Sequence, residues 1–247
     1  MRRLRRSSRR IGFVATLALF GTVLTGPPAV ALVNYTCNWT TSNYSDGGRG
    51  NSDGQFAVDS FLGAHAQGNV SAAIPGDSNS TFAWANVGRR FTLPNNFPSG
   101  VTMVAKFLWH VSGYMQADND VGAYGQARYH FRAGIWNVTS GVQNQRLFVD
   151  RTVTAQGPVP QSNDATVQAN FNSTNNAVEN SARAGTTYRT YIHSRIDIDT
   201  TAGFPGVGHA RSDFLDTNAL IKRAYVDRFR VIFQDVPNAY NFSCPGP

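Results

Sequence analysis

The stretch Thr187-Tyr188-Arg189-Thr190-Tyr191-Ile192-His193-Ser194-Arg195-Ile196-Asp197-Ile198-Asp199 alternates almost without fault. Tyr188, Ile192, Ile196 and Ile198 fall on one side, and Arg189, Tyr191, His193, Arg195, Asp197 and Asp199 on the other. A period of two puts successive side chains on opposite faces of a strand, so this one has a dry face and a wet face. The same pattern runs through Val101 to Val111, where Val101, Met103, Ala105, Phe107, Trp109 and Val111 oppose Thr102, Lys106 and His110. It recurs in Ala123 to Trp136, where Ala123, Ala127, Tyr129, Phe131, Ala133 and Ile135 oppose Tyr124, Gln126, Arg128, His130, Arg132 and Trp136.

Further strands are expected at Val70 to Ile74, Thr81 to Leu93, Leu147 to Ala155, Thr166 to Phe171, Gly206 to Phe214 and Tyr225 to Phe233. Loops are expected at Ser42 to Gly54, Gly157 to Pro160 and Asn170 to Asn180, and a short helix at Asp213 to Arg223. One wet face per strand is the mark of antiparallel sheets. About nine such strands with Gly, Pro and Asn turns predict an all-β fold, an antiparallel β-sandwich or jelly-roll-like domain with at most one short helix.

Composition agrees. Charged residues make up 15% of the 247 residues, against a usual ~25%. Glu179 is the only glutamate. Strong helix formers are scarce, which excludes a coiled coil, and the low charge excludes a charge-rich disordered tail. The formal charge of +7 is local: residues 1–31 hold six arginines and no acid, and the remainder has 16 bases against 15 acids. The high isoelectric point is therefore no nucleic-acid footprint, and no nucleic-acid partner is expected.

Those first 31 residues read as a secretory signal. Met1 to Arg10 is basic, Ile11 to Thr25 is apolar, and Ala29-Val30-Ala31 is a small-x-small cleavage site. The apolar run is short for a membrane span. The expected organisation is a signal at 1–31 and one β-sandwich domain at 32–247, secreted and with no membrane contact after cleavage. Arg9-Arg10 also fits twin-arginine export. The 14 arginines and two lysines that follow suggest a GC-rich bacterial coding bias. Cys37 and Cys244 are the only cysteines, and in an exported chain they are expected to pair. Closing a loop of about 208 residues contributes roughly 5 kcal/mol by the chain-entropy estimate.

Most catalytic motifs fail. Gly76-Asp77-Ser78-Asn79-Ser80 resembles the nucleophile block of GDSL-type esterases, but none of His65, His110, His130, His193 or His209 has an aspartate three residues before it. That motif reads instead as a Pro-Gly-Asp turn. No H-E-x-x-H or G-x-S-x-G is present. The aspartate pairs Asp118/Asp120 and Asp197/Asp199 are candidates for a structural calcium, and no other cofactor is expected.

One constellation supports a function. Arg128-Tyr129-His130-Phe131-Arg132 and Tyr191-Ile192-His193-Ser194-Arg195 both place three polar groups at i, i+2 and i+4, on one sheet face. Arg189 extends the second strand and Trp136 the first. Lys106 with His110, and Arg228 with Arg230, repeat the theme on two more strands. Like charges facing across strands are unfavourable, so such a face needs carboxylate partners or an anionic ligand. Asp150, Asp197, Asp199 and Asp227 are the available partners. The candidate binding residues are Arg128, His130, Arg132, Trp136, Arg189, Tyr191, His193 and Arg195.

Phe131-Arg132-Ala133-Gly134-Ile135-Trp136-Asn137 resembles a strand of jelly-roll polysaccharide lyases that cleave uronate polymers. The resemblance spans seven residues. It implies that Arg132 neutralises a uronate carboxylate and sets Trp136 where those enzymes carry a catalytic tyrosine. Three functions follow in order. The first is non-catalytic binding of an extracellular polysaccharide, another anionic ligand or a cell-surface component. The second is a structural or surface-assembly role. The third is a lyase-like enzyme.

Overall fold

A computed structural model describes residues 33–35, 37, 40–45, 54–59, 65–72, 75–171, 177–214 and 223–245. These fall within one compact unit, Ala31–Pro247. The leader read at 1–31 lies outside the described residues, as does the core of the helix expected at Asp213 to Arg223.

Alternation becomes two antiparallel sheets packed face to face. The front sheet contains β1 (Asn34–Tyr35), β2 (Thr40–Ser45), β5 (Ser78–Thr92), β7 (Tyr124–Asn137), β8 (Gln143–Gln156) and β11 (Thr187–Thr201). Its order is β1-β5-β11-β7-β8, with β2 also on β5. The back sheet contains β3 (Gly54–Asp59), β4 (His65–Ala72), β6 (Thr102–Asn119), β9 (Gln161–Phe171), β10 (Ala177–Ser181), β12 (Gly208–Asp213), β13 (Arg223–Phe233) and β14 (Phe242–Pro245). The 18-residue β6 is its spine. It carries β10 and β9 along one edge, and β13 and β12 along the other. A single 3-10 turn, Asn238–Tyr240, precedes β14.

The core is the sum of the dry faces. Met103, Ala105, Phe107, Trp109 and Val111 of β6 are buried, as are Ala127, Tyr129, Phe131, Ala133 and Ile135 of β7 and Ile192, Ile196 and Ile198 of β11. Trp109 packs on Phe131 across the two sheets at 4.9 Å. Tyr129 stacks on Phe214 at 3.5 Å and meets Ser194 Oγ at 3.0 Å, which satisfies its buried hydroxyl.

The chain ends are tied. Cys37 and Cys244 form a disulfide with a Cα separation of 5.6 Å. Nearby, the guanidinium of Arg89, 1% exposed, donates to the Pro245 carbonyl and lies over the Phe229 ring at 5.8 Å. Burial lowers its pKa to about 10.

The described residues form fourteen strand segments, the shortest of two residues. One expectation needs correction. Two segments expected as loop contain strands: β2 overlaps Ser42 to Gly54, and β9 and β10 enter Asn170 to Asn180. The reason is tertiary. Strand β2 adds to the edge of β5, where Tyr44 meets Trp84 at 6.4 Å, and β10 adds to β6, where Val178 is buried. Neither has alternation strong enough to show before its partner is known.

Candidate functional site

Strands β11 and β7 lie side by side in a register that brings the two polar triads together. Arg189 faces Trp136, Tyr191 faces Gly134, His193 faces Arg132, Arg195 faces His130 and Asp197 faces Arg128. All eight candidate binding residues thus share the outer face of the front sheet. Strand β5 adds Phe82, Trp84, Asn86, Gly88 and Arg90 to the same face, and β8 adds Gln143, Gln145 and Asp150.

The basic groups of the back sheet do not join them. Lys106 and His110 stand on β6, opposite Arg230 and Tyr225 of β13, and Arg228 stands on β13 as well. The polar-x-polar spacing is shared, but the spacing says nothing about which sheet a strand joins.

One end of the front face is internally neutralised. Arg128 donates to both oxygens of Asp150, at 3.1 and 2.9 Å. The Arg195 Nε donates to Asp197 at 2.8 Å, and its guanidinium lies 4.7 Å above the Phe82 ring. His130 sits between Asp150 at 3.6 Å and Asp197 at 3.5 Å. Arg128 holds the Asp150 carboxyl below its usual pKa, with help from His130.

The other end differs. Arg132 Nη1 reaches only an amide, Gln145 Oε1 at 3.4 Å, and Arg189 donates to Asn86 Oδ1 at 3.5 Å. Arg132 Nε and Trp136 Nε1 are buried and have no hydrogen-bond partner among the described residues. Arg132, Arg189, Arg195, Tyr191, His193, Trp136, Asn86, Gln143 and Gln145 line a depression of about 330 Å³.

Two glycines make that depression. A Cβ on Gly134 would stand 2.6 Å from Tyr191 Oη, and a Cβ on Gly88 would stand 2.5 Å from Arg189 Nε. Without them, Tyr191 lies flat across β7 and puts its hydroxyl 3.3 Å from Gln143 Oε1 and Gln145 Oε1. Arg189 leans the opposite way, across β5. A glycine inside a strand marks such a close approach. The sequence carries that cue at both positions, Gly88 and Gly134, each inside an alternating strand.

The titratable groups are held away from neutrality. Burial lowers the His193 pKa to about 3, with repulsion from Arg132, Arg195 and His130 adding to the effect. Burial raises the Tyr191 pKa, partly offset by Arg132 and Arg189. At pH 7 both are neutral, so the charge in the depression comes from its arginines.

The calcium candidates separate. Asp118 accepts from Ser162 and Gln116 and contacts His209 Nδ1 at 3.2 Å, while Asp197 is taken by Arg195. Asp120 accepts from the Val207 N–H, and Asp199 lies on the neutralised end of the front face. No group of three or more His, Cys, Asp or Glu able to hold a metal exists among the described residues. Nor is any helix there long and apolar enough to cross a membrane.

No protein-family model and no curated protein sequence matches the chain. Among solved structures, 71% of it is similar to the enzymatically active domain of bacteriophage CBA120 tailspike protein 4, at 9% identity and a TM-score of 0.17. The chain spans 19% of that domain's length. Similarity to the carbohydrate-binding module TmCBM61, solved with beta-1,4-galactotriose, covers 65% of this chain and 83% of that one, at 11% identity and a TM-score of 0.15. Likenesses this shallow carry no weight for what this chain does.

Proposed function

We propose that the protein is an exported β-sandwich that binds an extracellular glycan through an anionic group, on the outer face of its front sheet and without catalysis. The observation that carries this reading is the depression over Gly88 and Gly134, where Arg132 meets the Gln145 amide oxygen and none of the described lining residues is a carboxylate. A planar guanidinium suits bidentate capture of carboxylate, sulfate or phosphate. The Asn86, Gln143 and Gln145 amides that line the depression are donors and acceptors of the kind that hydroxyl-rich ligands satisfy.

Binding is favoured over lyase chemistry by the state of the titratable groups. A general base works best with a pKa near the operating pH. His193 is far too acidic and Tyr191 is shifted the wrong way. Trp136, at the position where the resembled enzymes carry tyrosine, has no proton to exchange at neutral pH.

A glycan-array screen of the purified protein at two salt concentrations tests the reading, with eluates checked for cleaved oligosaccharide. Salt-sensitive retention without cleavage, lost in Arg132→Ala, is the expected result. Cleavage would move the reading to the lyase, and no retention of any glycan would end it.

One observation favours a surface-assembly role instead. Val121, Val159 and Phe204 are exposed on three loops at one end of the sandwich, Phe204 by 85%. Those loops touch: the Gly122 N–H bonds to the Gly157 carbonyl at 3.1 Å, and a Cβ on Gly122 would lie 4.0 Å from Phe204 N. Self-association that disappears in Phe204→Ser, read by sedimentation, would support that role.

A further inference from the structure

The charges on the front face are sorted along the strands. Three rows of the register, Asn86–His193–Arg132, Gly88–Tyr191–Gly134 and Arg90–Arg189–Trp136, hold three arginines and no acid. The next three, Trp84–Arg195–His130, Phe82–Asp197–Arg128 and Ser80–Asp199–Gln126, hold two arginines and two aspartates, and Asp150 faces His130 from β8. With histidines neutral, the first block carries +3 and the second −1. Arg90 and Arg189 face each other directly, and Arg90 helps to lower the Arg189 pKa after burial.

Among the described residues the positive block is small and has no extension. Towards the β2 edge the register offers Thr40 and Ser42, and towards β8 it offers Gln143, Gln145 and Leu147. Along the strands the next cations are Arg195 and Arg128, and each is engaged by its own aspartate. Positions two apart on a strand are separated by about 6.7 Å, and the carboxylates of Asp197 and Asp150 are taken up one row away, by Arg195, Arg128 and His130. Each part of a ligand therefore meets mainly the block it touches.

The geometry points to a glycan with an isolated anionic group, one acidic sugar set among neutral ones or at a chain end, in preference to a homopolymer with a charge on every sugar. The first acid group of a homopolyuronate fits the depression. Its neighbours then meet amides, hydroxyls or aspartates, and are desolvated or repelled without a cation in return. Neutral sugars on either side lose nothing at those positions. This inference rests on the binding site proposed above.

The test is an array carrying polygalacturonate, alginate, hyaluronan, terminally sialylated oligosaccharides and neutral galactan, read at two salt concentrations. The expected result is that sparsely charged glycans bind at least tenfold more tightly than either homopolyuronate. A length series of oligogalacturonates should show a salt dependence that stops growing once a single acid is seated. Asp199→Asn should narrow the gap by raising homopolyuronate binding. Homopolyuronates that bind as well as or better than the sparsely charged glycans, with a salt dependence rising with length, would overturn the inference and leave the site standing. Failure of the site looks different: no salt-sensitive binding to any probe, or binding unchanged in Arg132→Ala, removes both.

Discussion

Tyr191 lies across Gly134 with its hydroxyl where a Cβ would otherwise be, at 2.6 Å. The two residues are direct cross-strand partners in the β11–β7 register. Their contact explains why Tyr191 is only 6% exposed on a face that is otherwise wet. It also makes room for a depression on a surface that would otherwise be level.

Gly134→Ala is therefore expected to displace Tyr191 and spoil the site. Overpacking of this kind costs typically 1–3 kcal/mol. The variant should stay folded, show a lower urea midpoint, and lose at least tenfold in affinity for whichever glycan the array identifies. Gly141→Ala is the contrast. Gly141 has a positive φ and open space around it, so its cost is backbone strain without loss of binding.

The two arginine populations should separate under mutation. Arg132→Ala removes a cation whose recorded partner is an amide, and should abolish salt-sensitive binding with little change in stability. Arg128→Ala breaks an exposed pair with Asp150, worth about 0–1 kcal/mol, and should leave binding within a few-fold of the parent. Equal losses in both variants, measured by calorimetry, would argue against a localised site.

Acid should weaken the fold through His193. Its pKa falls from 6.5 to about 3 on folding. Between those values the unfolded chain takes up a proton that the folded chain refuses, so stability falls as pH drops from about 6.5 towards 3. The slope from this one group is at most about 1.4 kcal/mol per pH unit. Asp118 and Asp150, both lowered, add losses in the same direction further down. Comparing urea midpoints of the parent and His193→Gln at pH 7, 5.5 and 4 isolates the histidine: the variant should lose less. Ligand affinity should not follow the His193 titration between pH 5 and 8, because the group is neutral throughout.

The disulfide closes nearly the whole domain, since its cysteines are 207 positions apart. Replacing both with serine should lower stability by roughly 2–5 kcal/mol. Trp109→Ala, at the centre of the core, should cost about 3–5 kcal/mol. Thermal melts under non-reducing conditions read both. An unchanged melting temperature in the cysteine variant would show that the Arg89–Pro245 contact and β14 pairing hold the ends without the bridge.

What could be read early follows from periodicity. Strands β6, β7 and β11 are long, and each alternates strongly because one side packs on the other sheet and one side meets water. The dry faces read from that alternation are buried, and Tyr191, read on the wet face, is buried as well because it lies over Gly134. Strands β2 and β10 were missed because short edge strands lie beside a partner without a regular dry face of their own. The candidate binding residues were legible as a set on one face because period two places i, i+2 and i+4 together. Their grouping with Lys106, His110, Arg228 and Arg230 failed because periodicity specifies the face of a strand and not the sheet that contains it.

The sequence by itself determined an all-β sandwich, the face each long strand buries, the pairing of its only two cysteines, and the residues that carry the polar face. These are local or forced: a two-residue period, a composition poor in helix formers, and a pair with no alternative partner. The tertiary structure alone decided which arginines are neutralised and which are not. That depends on cross-strand register, and register brings Asp150 to Arg128 and leaves Arg132 beside Gln145. It also decided that Gly88 and Gly134 flank Tyr191, because the two glycines come from strands 46 positions apart that meet only when β11 inserts between them.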